Sequence, residues 1–145
     1  MLDRVRRKRT VARVLTFLGM GMFFINLLGC GMEETATKKL KDIEFTVIDQ
    51  SEIPQELFST MEEKKKEGFK LTYADEKNLY IAVGYGEQKT GGYSISVDEC
   101  YLAENAIYFG TTLTGPEKGE KVNEVASYPY IVVKAEYIDE SVVFE

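Results

Sequence analysis

The chain has 145 residues, 44% of them hydrophobic and 29% charged, with a formal net charge of -6, which suits one globular domain and is short for two separate cores. It holds no histidine, no tryptophan and two cysteines, so zinc and other transition-metal sites lack their usual donors and no histidine is present to activate a nucleophile. Residues 1–29 carry six of the 18 basic residues and one of the 24 acidic ones, leaving 12 basic against 23 acidic in the rest, a balance that repels nucleic-acid backbones and anionic lipid surfaces.

The head has three parts in order: the basic run Arg4-Val5-Arg6-Arg7-Lys8-Arg9, an apolar stretch over residues 14–28, and then Gly29 and Cys30. This is the layout of a secretory signal whose positive end stays in the cytosol. Leu27-Leu28-Gly29-Cys30 resembles the lipobox of bacterial lipoprotein signal peptides. The resemblance implies a diacylglycerol on the Cys30 thiol and cleavage between Gly29 and Cys30, with small Gly29 fitting the position before the cut. An uncleaved membrane helix is the alternative, but an apolar run of about 15 residues falls short of the roughly 20 that span a bilayer. The expectation is a signal peptide over 1–29, a flexible tether over 30–41, and a folded domain over 42–145. The protein would be held in the cell membrane, on its extracytoplasmic face, by lipid on Cys30, whose two or more acyl chains pass the threshold for stable anchoring.

Within the body, residues 43–48 predict a first strand with Ile43, Phe45 and Val47 on one face. A helix follows, with Ser51 as N-cap, Pro54 in its first turn and an apolar stripe of Ile53, Leu57, Phe58 and Met61. Residues 62–66 are its solvated far end and Gly68 its stop. The period then becomes two: Phe69, Leu71 and Tyr73; a turn at 75–78; Leu79, Ile81, Val83 and Tyr85; Tyr93, Ile95 and Val97 running on to Leu102; a turn at Glu104-Asn105; Ile107, Phe109, Thr111 and Leu113. Residues 115–120 break the chain before a β-branched run over 130–134. Five or six strands and one helix predict an α+β domain, the helix packed on a mostly antiparallel β-sheet or a small β-sandwich or barrel. Cys100 lies in a strand pattern as a small packed hydrophobe. The adjacent pairs Glu62-Glu63 and Asp98-Glu99 point in different directions and read as solvated surface rather than as an acid/base pair.

The connection from Gly84 to Ile95 carries the densest signal. Gly86-Glu87-Gln88-Lys89-Thr90-Gly91 has the opening spacing of a phosphate-binding loop, but Gly92-Tyr93 stands where Lys and Ser/Thr are required and a strand follows in place of a helix. A hairpin turn accounts for Gly91-Gly92. A binding loop accounts in addition for Thr90 and Tyr93, which set a hydroxyl and an aromatic ring beside accessible backbone. Tyr128-Pro129, at the start of the last strand, reads either as a cap on the core edge or as part of a binding rim.

From about Tyr80 to Lys134 the chain resembles the C-terminal domain of the PrcB family. The resemblance rests on Gly86-Glu87-Gln88-Lys89-Thr90-Gly91-Gly92-Tyr93 and on Ser127-Tyr128-Pro129-Tyr130-Ile131-Val132-Val133-Lys134, with Lys89 where family loops often carry proline. It implies a non-catalytic protease complex subunit that helps a secreted or cell-surface protease mature or stay stable. The residues themselves suggest no cofactor. Thr90, Gly91, Gly92, Tyr93, Tyr128 and Pro129 are the candidate partner-binding residues. Thr90-Gly91-Gly92-Tyr93 is also comparable with the inhibitory loop of chagasin-type cysteine-protease inhibitors, which would place the 115–120 loop and Tyr128-Pro129 at the same end. A structural envelope lipoprotein with no protease partner is the third alternative.

Overall fold

The computed structural model describes residues 38–145, and Lys39–Glu145 form one compact unit. In chain order the elements are β1 (Lys39–Asp42), β2 (Phe45–Val47), a 3-10 turn (Gln50–Glu52), α1 (Gln55–Lys64), β3 (Phe69–Ala74), β4 (Asn78–Gly84), β5 (Ser94–Ala103), β6 (Ile107–Thr114), β7 (Tyr130–Glu136) and β8 (Val142–Phe144). The strands form two four-stranded sheets, β1-β5-β6-β8 and β2-β7-β4-β3. Every pairing is antiparallel except the parallel contact of β6 with β8. The α+β expectation thus resolves to a strand-dominated sandwich with one helix on an outer face.

Side-chain alternation builds two cores. Leu79, Ile81 and Val83 of β4 and Ile131, Val133 and Ala135 of β7 face Cys100, Ile107 and Phe109 of the opposite sheet. The intervening Tyr80, Ala82 and Val132 face outward and meet Ile53, Leu57 and Met61 beneath the helix. Strands β4 and β7 are therefore covered on both sides, which is why Leu79-Tyr80-Ile81-Ala82-Val83 is buried at every position.

The helix begins later than the sequence predicts. Asp49, not Ser51, acts as a cap, accepting a hydrogen bond from Ser51 N at 2.9 Å and closing the 3-10 turn. Pro54 then occupies the N-cap position of α1 without a side-chain bond. Proline disfavours helical geometry in the residue before it, and Ile53 is extended at φ -76, ψ 129, so the turn and the helix cannot merge. Gly68 ends the helical segment as expected, at φ 96, with its N–H bonded to Lys64 O at 3.0 Å.

The single first strand predicted over 43–48 is instead a strand that changes sheets. β1 pairs with β5, Ile43 N donates to Cys100 O at 3.0 Å, and β2 then pairs with β7. Folded structure consequently takes in Lys39–Asp42, most of which the sequence assigns to the tether. Strand β8 is a further addition to the predicted set. The expected alternative of a β4–β5 hairpin is overturned: the two strands lie in different sheets, and residues 85–93 cross between them.

Candidate functional site

The crossing loop is held by backbone. Tyr85 N donates to Pro129 O at 3.0 Å, Gln88 and Ser127 exchange bonds of 2.8 and 3.0 Å, and Gly91 N donates to Asn123 O at 2.8 Å. Residues 85–91 and 123–129 thereby run side by side, which brings together the two segments the sequence singles out. Ser127 Oγ reinforces the pairing by donating to Thr90 O at 2.7 Å. At the base, Tyr85 Oη and Thr111 Oγ1 lie 2.5 Å apart and tie the loop to β6. On the other flank Glu87 N donates to Lys66 O at 3.0 Å, and a Cβ on Gly86 would meet that same oxygen at 3.0 Å. Glycine is needed there both for its φ of 81 and for the close approach.

At the tip, Gly92 has φ 90 and touches Val122 and Pro116, while Gly115 sits against the Tyr93 ring. The 115–120 loop therefore does lie at the same end as Gly92 and Tyr93. Thr90 and Tyr93 are both half-buried, and the Thr90 hydroxyl donates to Gly91 O at 3.0 Å. Tyr128 and Pro129 adjoin the loop through their backbone, but the Tyr128 ring turns to the helix. Its centroid lies 5.1 Å from Lys65 Nζ, and it shares a cleft of about 200 Å³ with Phe58, Met61, Phe69 and Tyr130. Burial, followed by the Glu62 and Asp49 carboxylates, raises the Tyr130 phenol above its usual value. The candidate residues thus make one backbone unit with two side-chain patches.

Residues 79–136 match the PrcB C-terminal family model. The match bears out the resemblance read from about Tyr80 to Lys134. It starts in β4 and ends with β7, so it contains the central strands of both sheets, the crossing loop and the segment that clamps it. It leaves out α1 and the strands β1, β2, β3 and β8. No curated protein and no solved structure matches the chain.

Elsewhere, burial, followed by the charge of Asp42, pushes the Cys100 thiol up to about 11. At neutral pH it stays protonated inside the core, as a packed hydrophobe. Among the described residues, no group of three or more Cys, Asp or Glu side chains is placed to hold a metal ion. No described helix is long and apolar enough to cross a membrane. Gly29 and Cys30, with the expected signal peptide and most of the tether, lie outside the described residues.

Sequence reasoning missed Val122 and Asn123, which seat Gly92 and Gly91. They stand in a polar stretch with no periodicity, so no local pattern marks them.

Proposed function

We propose that the protein is a non-catalytic extracytoplasmic lipoprotein, anchored through lipid on Cys30, whose domain binds and stabilises a secreted or cell-surface protease. Thr90, Gly91, Gly92 and Tyr93 form the contact loop, with Tyr128 and Pro129 at its border. The observation that carries the reading is the clamp. A loop tied by backbone bonds to residues 123–129 and to Lys66, just past α1, has little conformational freedom left to lose on docking. The PrcB C-terminal match supports a protease complex as the class of partner. The basic run, the apolar stretch and Leu27-Leu28-Gly29-Cys30 support export and anchoring.

The packing of Gly115 and Pro116 on Tyr93 and Gly92 favours a second reading, in which several loops at one end enter a protease active site and block it. One assay separates the two. The full chain is mixed with a secreted protease that co-purifies with it, and proteolysis is followed with time. A stabilising subunit lengthens the activity half-life, an inhibitor lowers the initial rate, and the absence of both effects sinks both readings. Substituting Thr90→Ala with Tyr93→Ala abolishes the effect while lowering the thermal midpoint by no more than about 4 °C, the equivalent of roughly 1 kcal/mol. Cys30→Ser moves the protein from the membrane fraction to the soluble fraction.

A further inference from the structure

Strand β1 accompanies β5 over Tyr101–Ala103 only, with one further bond from Ile43 N to Cys100 O. The chain then leaves for the opposite sheet as β2. Among the described residues nothing takes its place beside residues 94–99, so that edge of β5 is open. Above it, Phe45 and Val47 pair with Ala135 and Val133, two members of the inter-sheet core. Paired residues in a sheet share a face, so Phe45 and Val47 are directed inward. They remain 37% and 56% exposed because no strand of the other sheet runs beneath them. Ile95 and Val97 of β5 are likewise only partly covered. Between the sheets lies a groove of about 530 Å³, lined by Ile43, Phe45, Val97, Glu99 and Tyr101 among others.

The opposite edge of the same sheet supplies the contrast. There the inward positions of β3, opposite Val83, Ile81 and Leu79, are Lys70, Thr72 and Ala74. Both edge strands overhang the other sheet, but only the β2 edge is apolar. An open backbone edge beside an inward-facing apolar ledge is what an added strand requires.

Charge selects among the occupants. Asp98 and Glu99 stand at the bulge in β5 and, with Asp42 from the crossing strand, line the groove. Lys39, the basic residue in the groove wall, is paired with Asp42 at 2.5 Å. A second copy would bring the same carboxylates edge to edge. The chain's own described start enters beside Ala103, at the far end of β5. We propose that this groove receives an extended segment of a partner protein, with apolar residues at alternate positions and Lys or Arg between them, added to β5 as a further strand. The surface is separate from the crossing loop, and the proposal holds whichever partner that loop engages.

The test immobilises the full chain and titrates it with synthetic peptides of about ten residues, the length of a long natural strand. One alternates valine and lysine, one has the same composition in two blocks, and one alternates valine and glutamate. The alternating lysine peptide should bind at least about tenfold more tightly than either of the others. Phe45→Ser with Val47→Ser should remove that advantage, and Thr90→Ala with Tyr93→Ala should leave it intact. If the serine variant fails to fold, Asp98→Lys with Glu99→Lys is read in its place and should abolish the preference for lysine over glutamate. Equal binding of the alternating and block peptides would reduce the effect to bulk charge and overturn the proposal. So would binding that survives loss of Phe45 and Val47, or a dimer in sedimentation that dissolves when those two residues are replaced.

Discussion

Three glycines in and around the crossing loop differ in what a methyl group would meet, and this makes a graded test of the clamp. Gly91 has no left-handed φ, and an added Cβ would touch Asn123 Cβ at 3.5 Å, an ordinary contact. Gly119 has φ 87 but open space around it. Gly92 has φ 90, and its Cβ would fall 2.6 Å from Val122 Cγ1 and 3.2 Å from Pro116 Cβ. Alanine in the left-handed region costs roughly 1–2 kcal/mol. Forcing Val122 and Pro116 aside adds an overpacking cost of at least about 1 kcal/mol. Gly92→Ala should therefore lose about 2–3 kcal/mol, or roughly 9–13 °C in thermal midpoint for a folded unit of this size. Gly119→Ala should lose about 1 kcal/mol, and Gly91→Ala should be neutral or gain up to about 1 kcal/mol by restricting the unfolded chain. Urea denaturation and differential scanning calorimetry measure all three. Equal effects at 92 and 119 would refute the reasoning, because both glycines have a left-handed φ and only Gly92 has Val122 and Pro116 to displace. Should Gly92→Ala stay as stable as the parent, the clamp is not what shapes the loop.

The remaining expectations are more local. Phe109 is 1% exposed at the centre of the inter-sheet core, and Phe109→Ala should cost about 3–5 kcal/mol by denaturant titration. Ser127→Ala removes the bond to Thr90 O and should cost about 1 kcal/mol, with faster amide exchange at Gly91 as its local signature. The Asp75 carboxylate accepts from Asn78 N at 2.7 Å and Lys77 N at 2.8 Å. These bonds hold its pKa below the usual 3.8, that of Asn78 first. A depressed carboxyl pKa stabilises the fold above its unfolded value, and that contribution fades as pH falls through the folded one. Asp75→Ala should accordingly lower the thermal midpoint near neutrality and flatten its decline below pH 3.8; an unchanged acid limb would count against the turn's role.

Much of the architecture was legible because period is a local signal. Leu79-Tyr80-Ile81-Ala82-Val83, the alternation of Ile107 and Phe109, and the helical stripe of Leu57 and Met61 each state their own burial, and each is buried. Sheet membership was not legible, because pairing is a non-local property. Nothing in Gly84 to Ile95 distinguishes a hairpin from a crossing, and the answer lies in Asn123 and Ser127, more than thirty positions away. The change of sheet at Ile43 is hidden for a related reason. Phe45 and Val47 continue the alternation, yet the strand beneath them is missing, so their apolar character has no matching burial. Of the candidate residues, the place of Gly115 and Pro116 beside Gly92 and Tyr93 was readable from the chagasin-type comparison. The pairing of Pro129 with Tyr85, at the base of the loop and away from its tip, and the turning of Tyr128 toward Lys65 were not.

The extent of the family match bears on which of the two surfaces belongs to the domain as such. Residues 79–136 contain the crossing loop and every residue from 115 to 129 that packs on it or bonds to it. The loop and most of its clamp are therefore built from within the matched segment, with Lys66 O as the outside contribution. The same segment cannot close its own core. Tyr80, Ala82 and Val132 face away from the sandwich and need Ile48, Ile53, Leu57 and Met61 to cover them. A helix or its equivalent on that face is thus a requirement of the matched strands, whatever its sequence. The groove beside β5 differs in kind. Its open edge comes from the matched segment, but its apolar ledge, Phe45 and Val47, comes from β2, outside the match. Binding through the loop should then be a property of the domain, whereas strand capture at the groove should depend on what precedes it in a given chain. In this one, that is a strand that leaves β5 early and carries two apolar side chains across the gap.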